Sequence, residues 1–161
     1  MTATRSMSDE EIAASIASSY AAFGPDDWNR EDPYSVADWA AILTPAEFGA
    51  WQDIRGWGLP LWPRLPVGDF TISFGHPIAR VALQCGDATS ADHWLTQIGW
   101  RVIRATASQC TRVMEEPCDV LDRLGEANEE YRAYLDRYQA ETLAWVMQEL
   151  RHALIAGGVP C

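Results

Sequence analysis

The sequence predicts an α+β protein, because segments with helical spacing and segments with strand alternation both occur within its 161 residues. Apolar and polar residues alternate at 68–74 and again at 78–85, which is the pattern of strands with one buried face. The four residues TPAE at 44–47 place an N-cap, a first-turn proline and a glutamate at the start of a helix. Beyond Pro117 the spacing is continuously helical. Helices at both ends therefore enclose a strand-rich middle.

The first helix is predicted over residues 8–23. Ser8 is a suitable N-cap, and Glu11 completes a capping box with it. Apolar residues recur at helical spacing behind this start, at Ile12, Ile16, Tyr20 and Phe23. The acidic, turn-rich stretch 24–33 follows as a linker. Residues 1–33 are therefore expected to form an N-terminal helix and linker that precede the core.

A short helix near 35–43 and the capped helix that starts at 44–47 precede the predicted sheet. The capped helix is expected to end where Gly56 and Gly58 interrupt its pattern. The run LPLWPRLP at 59–66 contains three prolines, which lack the N–H group that a central strand requires. It is therefore predicted to form at most a short edge strand.

Residues 68–85 are predicted to form a β-hairpin. The apolar face of its first strand consists of Phe70, Ile72 and Phe74, and the polar face of Asp69, Thr71 and Ser73. The second strand is expected at 78–85, after a turn at Gly75-His76-Pro77. A short helix at 90–98 and a strand at 100–105 complete this part of the chain.

One long amphipathic helix is predicted after Pro117. Its apolar stripe consists of side chains at helical spacing: Tyr131, Leu135, Tyr138, Thr142, Val146, Leu150 and Leu154. The sequence GGVP at 157–160 is its stop signal. The stripe is expected to pack back on the protein rather than on a partner. This divides the chain into a core at 34–116 and a C-terminal helical arm at 117–161 that packs on it.

The charge of the chain favours some partners over others. The formal charge is −11, from 23 acidic residues and 12 arginines, and there is no lysine. Nucleic-acid binders usually present a basic face, because neutralisation of phosphates supplies most of their non-specific affinity. A protein partner is therefore favoured over DNA. A local basic patch could still form from Arg55, Arg64, Arg80, Arg101 and Arg104.

The composition is typical of a soluble protein with reduced thiols. No segment approaches the roughly 18 apolar residues that a membrane helix needs, and the N-terminus lacks the layout of a signal peptide. We therefore expect a cytoplasmic protein with no membrane partner. Its four cysteines show neither zinc-site spacing nor a disulfide framework. Cys85 and Cys110 are expected to be small core residues.

Several short motifs in residues 44–106 occur in one order. They are the TPAE helix start with Trp51 and Ile54-Arg55, Pro66-Val67-Gly68 before the hairpin, Arg80-Val81-Ala82-Leu83, and Leu95 followed by Gly99-Trp100-Arg101-Val102. In this order the segment resembles the PD-(D/E)XK nuclease superfamily, specifically the small bacterial domains related to very-short-patch-repair endonucleases. The resemblance implies a restriction-endonuclease-like αβββαβ core with a mixed sheet, and Mg²⁺-dependent hydrolysis of DNA.

The positions that carry the family's chemistry are changed in this chain. The family has an Asp on the first hairpin strand and a Glu on the second, and the matching positions here are Ser73 and Gln84. Only Asp92 keeps its place among the later acid-base residues. Mg²⁺ is anchored on one or two carboxylates, which neutral serine and glutamine oxygens do not replace. The family's lysine has no counterpart, although glutamine at the second acid position does occur in some active relatives.

A rearranged metal site is the alternative. Asp69 is expected on the same strand face as Ser73, and Asp87 follows the end of the second strand. With His76 or His93 nearby, these carboxylates could hold one Mg²⁺ or Mn²⁺ ion. Solvated turn acids are the favoured interpretation of both aspartates.

Other site hypotheses have less support. Asp92 with His93 could perform acid-base chemistry, but an isolated exposed histidine is usually incidental. Ser73 has no His or Asp at the spacing of a nucleophilic triad. The tryptophans at 51, 57, 62 and 100 could stack nucleic-acid bases, yet with little positive charge beside them core packing is favoured.

Three hypotheses about function follow. The leading one is a catalytically silent nuclease-fold protein, without a cofactor, that acts as a binding or regulatory module through protein partners. The second is a metal-dependent endonuclease that uses Asp69 and Asp87. The third is a structural protein that self-associates as a homo-oligomer through the helical pattern at 126–156.

Overall fold

The computed structural model describes residues 7–30, 36–86 and 90–161. Within these ranges the chain forms eight α-helices and one four-stranded mixed sheet, which confirms the predicted α+β class. The helices are α1 (Asp9–Ala21), α2 (Trp39–Ile42), α3 (Pro45–Gly56), α4 (Ser90–Gln97), α5 (Ala107–Thr111), α6 (Pro117–Leu124), α7 (Glu129–Glu141) and α8 (Ala144–Ala156). The strands are β1 (Trp62–Val67), β2 (Phe70–His76), β3 (Val81–Cys85) and β4 (Arg101–Ala105).

The sheet has the order β1-β2-β3-β4. Its first three strands are antiparallel, and β4 returns parallel to β3 after the crossover through α4. From α3 to β4 the elements follow the αβββαβ order that the sequence predicts. The parallel register sets Gln84 beside Arg104 and Leu83 beside Ile103. These pairings determine which side chains meet at the end of the sheet.

The N-terminus of α3 has the predicted capping box. The Thr44 side chain accepts from the Glu47 backbone N–H at 3.3 Å, and the Glu47 carboxylate accepts from the Thr44 backbone N–H at 3.1 Å. The same carboxylate receives the Arg64 guanidinium at 2.5 Å. Glu47 is only 7% exposed. Because its charge is paired and hydrogen-bonded, this burial is tolerated.

The proline-rich β1 is an edge strand, as predicted. It pairs only with β2, and Pro63 and Pro66 lie within it. Arg64 has a positive φ of 51°, a conformation that side-chain-bearing residues rarely adopt. The ion pair with Glu47 accompanies this unusual backbone.

The hairpin turn differs from the prediction. Gly75 and His76 continue β2, the loop occupies 77–80, and β3 begins at Val81 instead of residue 78. A Cβ added at Gly75 would lie 2.4 Å from Cδ1 of Ile72. Gly75 therefore permits close packing inside the strand. The predicted turn at 75–77 was wrong because the pattern of a glycine before a proline resembles a turn.

An aromatic cluster attaches the N-terminal segment to the sheet. Tyr20, Phe23, Trp28 and Trp62 all contact one another, with ring centroids 4.8 to 5.9 Å apart. The Tyr20 hydroxyl donates to the Pro63 carbonyl at 2.5 Å, and Nε1 of Trp62 donates to the Trp28 carbonyl at 3.0 Å. Burial raises the pKa of the Tyr20 phenol. Part of the predicted linker is thus a packed 3-10 turn at Pro25–Asn29, while 31–35 lies outside the described residues.

The C-terminal region contains three helices where the pattern predicted one. A break at Thr142 and Leu143 separates α7 from α8. The Thr142 hydroxyl and backbone N–H both donate to the Tyr138 carbonyl. Side-chain hydrogen bonds of this kind compete with continued helix formation. The predicted stripe is buried only from Thr142 onward, because α8 packs against β3 and β4 whereas α7 has no buried residue.

One hydrophobic core contains buried side chains from α1, α2, α3, α4, α5, α8 and all four strands. It begins at Ile16 and extends to Val159, so the N-terminal helix and the C-terminal arm share the core of the central segment. In the described part of the chain, no helix combines the length and the apolarity that crossing a membrane requires.

The close crossing of α3 and α5 generates a first test. A Cβ added at Gly49 would lie 2.1 Å from the Cys110 carbonyl oxygen, whereas one added at Gly56 of the same helix meets nothing within 4 Å. We expect Gly49→Ala to lower the free energy of unfolding by about 2–3 kcal/mol, because the backbones must separate. Gly56→Ala should change it by no more than about 1 kcal/mol. Urea unfolding measures both, and equal effects would contradict the crossing.

Candidate functional site

At one end of the sheet, side chains replace the backbone pairing between β2 and β3. The last paired residues of this ladder are Phe74 and Leu83. Beyond them the Ser73 backbone N–H donates to Oε1 of Gln84 at 2.9 Å, and the Cys85 backbone N–H donates to Oγ of Ser73 at 3.2 Å. Ser73 and Gln84, which the predicted resemblance aligns with metal-binding acids, therefore face each other, and both side chains hydrogen-bond to the neighbouring strand.

Two further side chains complete this arrangement. Nε2 of Gln84 donates to Oδ1 of Asp92 at 3.2 Å, and the Arg104 guanidinium forms an ion pair with Oδ2 of the same carboxylate. Arg104 also donates to the Gly86 carbonyl at 2.6 Å. We call Ser73, Gln84, Asp92 and Arg104 the sheet-end network. It connects β2, β3, β4 and α4.

Local sequence features place Asp92 in this network. It lies in the first turn of α4, which Leu95 anchors in the core with no exposed surface. The helix ends before Gly99, whose φ of 91° lets the chain turn into β4. The parallel pairing of Gln84 with Arg104 then brings the Arg104 guanidinium next to the Asp92 carboxylate.

The network is partly buried and balanced in charge. Gln84 is 7% exposed, and the side chains of Arg104 and Asp92 are 28% and 17% exposed. Both Asp92 oxygens accept hydrogen bonds, and its negative charge faces one positive charge. A divalent cation at this position would have to displace the guanidinium from the carboxylate. The arrangement is therefore suited to holding the strands and helix together.

Sequence reasoning identified Ser73, Gln84 and Asp92 but missed Arg104. Arg104 was only a candidate for a surface basic patch. Its pairing depends on the register of β4 against β3, which no local pattern specifies. Among the five arginines considered for a basic patch, Arg64 also pairs with an acid, Glu47. Two of the five arginines considered for a basic patch are thus neutralised by carboxylates.

The two candidate metal ligands Asp69 and Asp87 have different outcomes. Asp69 is exposed in the turn between β1 and β2, so its predicted place on the strand beside Ser73 was wrong. Four residues of extended chain span about 13 Å, which separates it from the sheet-end network. Asp87 lies outside the described residues. Among those that are described, no group of three or more His, Cys, Asp or Glu side chains could hold a metal ion. The pairing of Asp69 with Asp87 around Mg²⁺ or Mn²⁺ stays a prediction.

The histidines also differ from metal ligands. His76 is 1% exposed, its Nδ1 accepts from the Ala79 backbone N–H at 3.1 Å, and its Nε2 lies 3.0 Å from Oδ1 of Asn29. These partners assign the proton to Nε2 of a neutral ring. His76 thus joins the loop after β2 to the 3-10 turn. His93 is exposed and contacts Gln97 on its own helix.

The tryptophans proposed for base stacking are mostly in the core. Trp51, Trp62 and Trp100 are buried, which confirms core packing for these three, while Trp57 is 45% exposed. The Arg55 guanidinium lies 5.1 Å from the ring centroid of Trp51. Of the four tryptophans considered for base stacking, Trp57 alone is exposed.

The thiols Cys85 and Cys110 are free, with Cys110 buried and Cys85 partly buried, in agreement with the prediction for the core. They lie against each other between β3 and α5. Their mutual hydrogen bond and burial raise the pKa of Cys85.

The comparisons with known proteins do not place the chain in a family: no family model matches it, and neither does any curated protein or solved structure. The relation to PD-(D/E)XK nucleases therefore stays a prediction from the motifs in residues 44–106.

The buried neutral His76 gives a pH-dependent test. Burial lowers its pKa, so the unfolded chain takes up a proton at a higher pH than the folded chain. The free energy of unfolding should therefore fall as the pH drops below about 6.5. We expect this loss between about pH 7.5 and 5 to be smaller in His76→Gln than in the native chain. His93→Gln, at an exposed position, is the control and should keep the native profile in urea titrations at each pH.

The ion pair between Arg104 and Asp92 in the sheet-end network gives a further test. Arg104→Met should lower the free energy of unfolding by about 1–3 kcal/mol, because it leaves the partly buried Asp92 carboxylate without a cation. Adding Asp92→Asn should recover part of that loss. Arg137→Met is the matched control, since its pair with Glu141 is 61% and 40% exposed, and it should cost less than about 0.5 kcal/mol. Chemical unfolding of the native chain and the three variants measures these losses. Equal losses of unfolding free energy in Arg104→Met and Arg137→Met would refute the network.

Proposed function

We propose that this protein is a catalytically silent binding or regulatory module built on a nuclease-like αβββαβ core, and that its partner is a protein. The observation that carries the proposal is the sheet-end network. Gln84, at one of the family's acid positions, accepts a hydrogen bond from the backbone N–H of Ser73, at the other, and donates one to Asp92. Ser73 and Gln84 serve as cross-links between strands.

The chemistry of phosphodiester hydrolysis supports this proposal. A metal ion in such a site must generate the attacking hydroxide and stabilise the leaving oxygen, and it needs carboxylate ligands to stay bound. Ser73 and Gln84 supply neutral oxygens. The one carboxylate of the network is already paired with Arg104. A cation entering there would meet a positive guanidinium.

The charge distribution supports a protein as partner. The formal charge of −11 opposes association with a phosphate backbone. Arg64 and Arg104, which could have contributed to a basic patch, are engaged by Glu47 and Asp92. An acidic surface instead favours partners that present basic groups.

A nuclease assay tests the proposal. The purified chain, incubated with single-stranded and double-stranded DNA and either Mg²⁺ or Mn²⁺, should release no more product than buffer does. Cleavage by the native chain that disappears in Asp69→Ala or Asp87→Ala would establish the alternative, a metal-dependent endonuclease with relocated carboxylates. Asp122→Asn, at an exposed position on α6, is the control for a general loss of charge.

Calorimetry with Mn²⁺ complements the assay, because it detects a metal site even when the correct DNA substrate is missing. The native chain and Asp69→Ala should give the same heat of dilution. Saturable heat that depends on Asp69 would contradict the silent site.

A further inference from the structure

A groove lies apart from the sheet-end network, between α3, α5 with the loop after it, and the junction of α7 and α8. Its volume is about 710 Å³, and none of the four network residues lines it. The aromatic and apolar side chains along it include Phe48, Trp57, Val113 and Met114. Trp57 is 45% exposed and Val113 is 94% exposed. The groove therefore keeps apolar surface in contact with solvent.

Two carboxyl groups and a phenol also line the groove. Burial raises the pKa of Asp53, and the nearby Glu116 raises it further. Burial, Glu116 and Asp53 likewise raise the pKa of the Tyr138 phenol. Both pKa values are raised mainly by burial and then by the negative charge of Glu116.

The acids of this groove differ from Glu47 and from Asp92 of the sheet-end network. Glu47 and Asp92 are paired with arginines. In the described residues, no ion pair includes Asp53 or Glu116. The arginine that lines the groove, Arg112, lies 3.6 Å from Glu141. The groove thus combines a negative potential with apolar walls.

We propose that this groove binds a segment of a partner protein that presents an arginine or lysine side chain flanked by apolar residues. The inference rests on the proposed function as a protein-binding module. Asp53 and Glu116 would receive the cationic group, for which carboxylates are the strongest partners. The exposed face of Trp57 would cover the cation or its aliphatic stem. Attraction to the net negative chain would assist the encounter.

Selection from a phage-displayed library of random peptides against the purified chain tests the inference. The enriched peptides should carry arginine or lysine next to aliphatic or aromatic residues. Their affinity, measured by calorimetry, should fall at least about tenfold for the double variant Asp53→Asn/Glu116→Gln, which removes both charges. It should be unchanged for Asp122→Asn/Glu130→Gln, which removes two exposed acids that do not line the groove.

A steric variant tests whether the peptides occupy the groove, independently of the charge of its acids. Gly56 lines the groove, and a Cβ added there meets nothing within 4 Å. Gly56→Leu should therefore block the peptides while the chain stays folded, as its circular dichroism and melting temperature would show. Failure to recover any peptide, or peptides that bind all variants equally, would overturn the inference.

The remaining outcomes distinguish a failure of this inference from a failure of the proposed function. Peptides that bind strongly but ignore both groove variants would leave the binding module in place and refute this groove. DNA cleavage by the native chain would refute the proposed function instead. A concentration-dependent dimer that Gly56→Leu abolishes in sedimentation would assign the groove to a second copy of this chain and overturn the inference.

Discussion

The amide of Gln84 is the contact on which the end of the sheet depends. Its oxygen accepts from the Ser73 backbone and its nitrogen donates to Asp92, so one side chain replaces the β2–β3 ladder and connects it to α4. Arg104 then closes the arrangement from β4. An amide suits this position because it both donates and accepts, whereas an ionised carboxylate could only accept. A glutamate here would place a second negative charge beside Asp92.

This constraint agrees with the proposal that the αβββαβ order of elements occurs here without nuclease chemistry. A metal site requires negative groups held close together, and such groups repel one another until the ion is bound. In this chain the same location contains complementary donors and acceptors that satisfy each other. Two acids outside the ion pairs of the described residues, Asp53 and Glu116, line the groove beside α3, where burial and the charge of Glu116 raise the pKa of Asp53. Stabilising contacts and candidate binding surface are therefore separate parts of the molecule.

Local patterns predicted the elements well where backbone chemistry alone decides them. The Thr44–Glu47 capping box, the proline-limited edge strand and the alternation of Ile72 and Phe74 are all confirmed. The errors arose where a residue's local preference competes with packing. Gly75 looked like a turn residue but makes room for Ile72 inside a strand. Thr142 fits the helical stripe of the sequence. In the structure, however, its hydroxyl and its backbone N–H both donate to the Tyr138 carbonyl, and the helix ends there.

By itself, the sequence determined the secondary-structure types, the start of α3, the absence of acids at positions 73 and 84, and the acidic charge of the chain. These properties depend on single residues or on neighbours a few positions apart. Only the tertiary structure decided that Arg104 neutralises Asp92, that His76 is a neutral link to Asn29, and that Asp53 and Glu116 share one groove. Each of these contacts joins residues brought together by strand register or by helix packing. Local sequence patterns do not encode such distances.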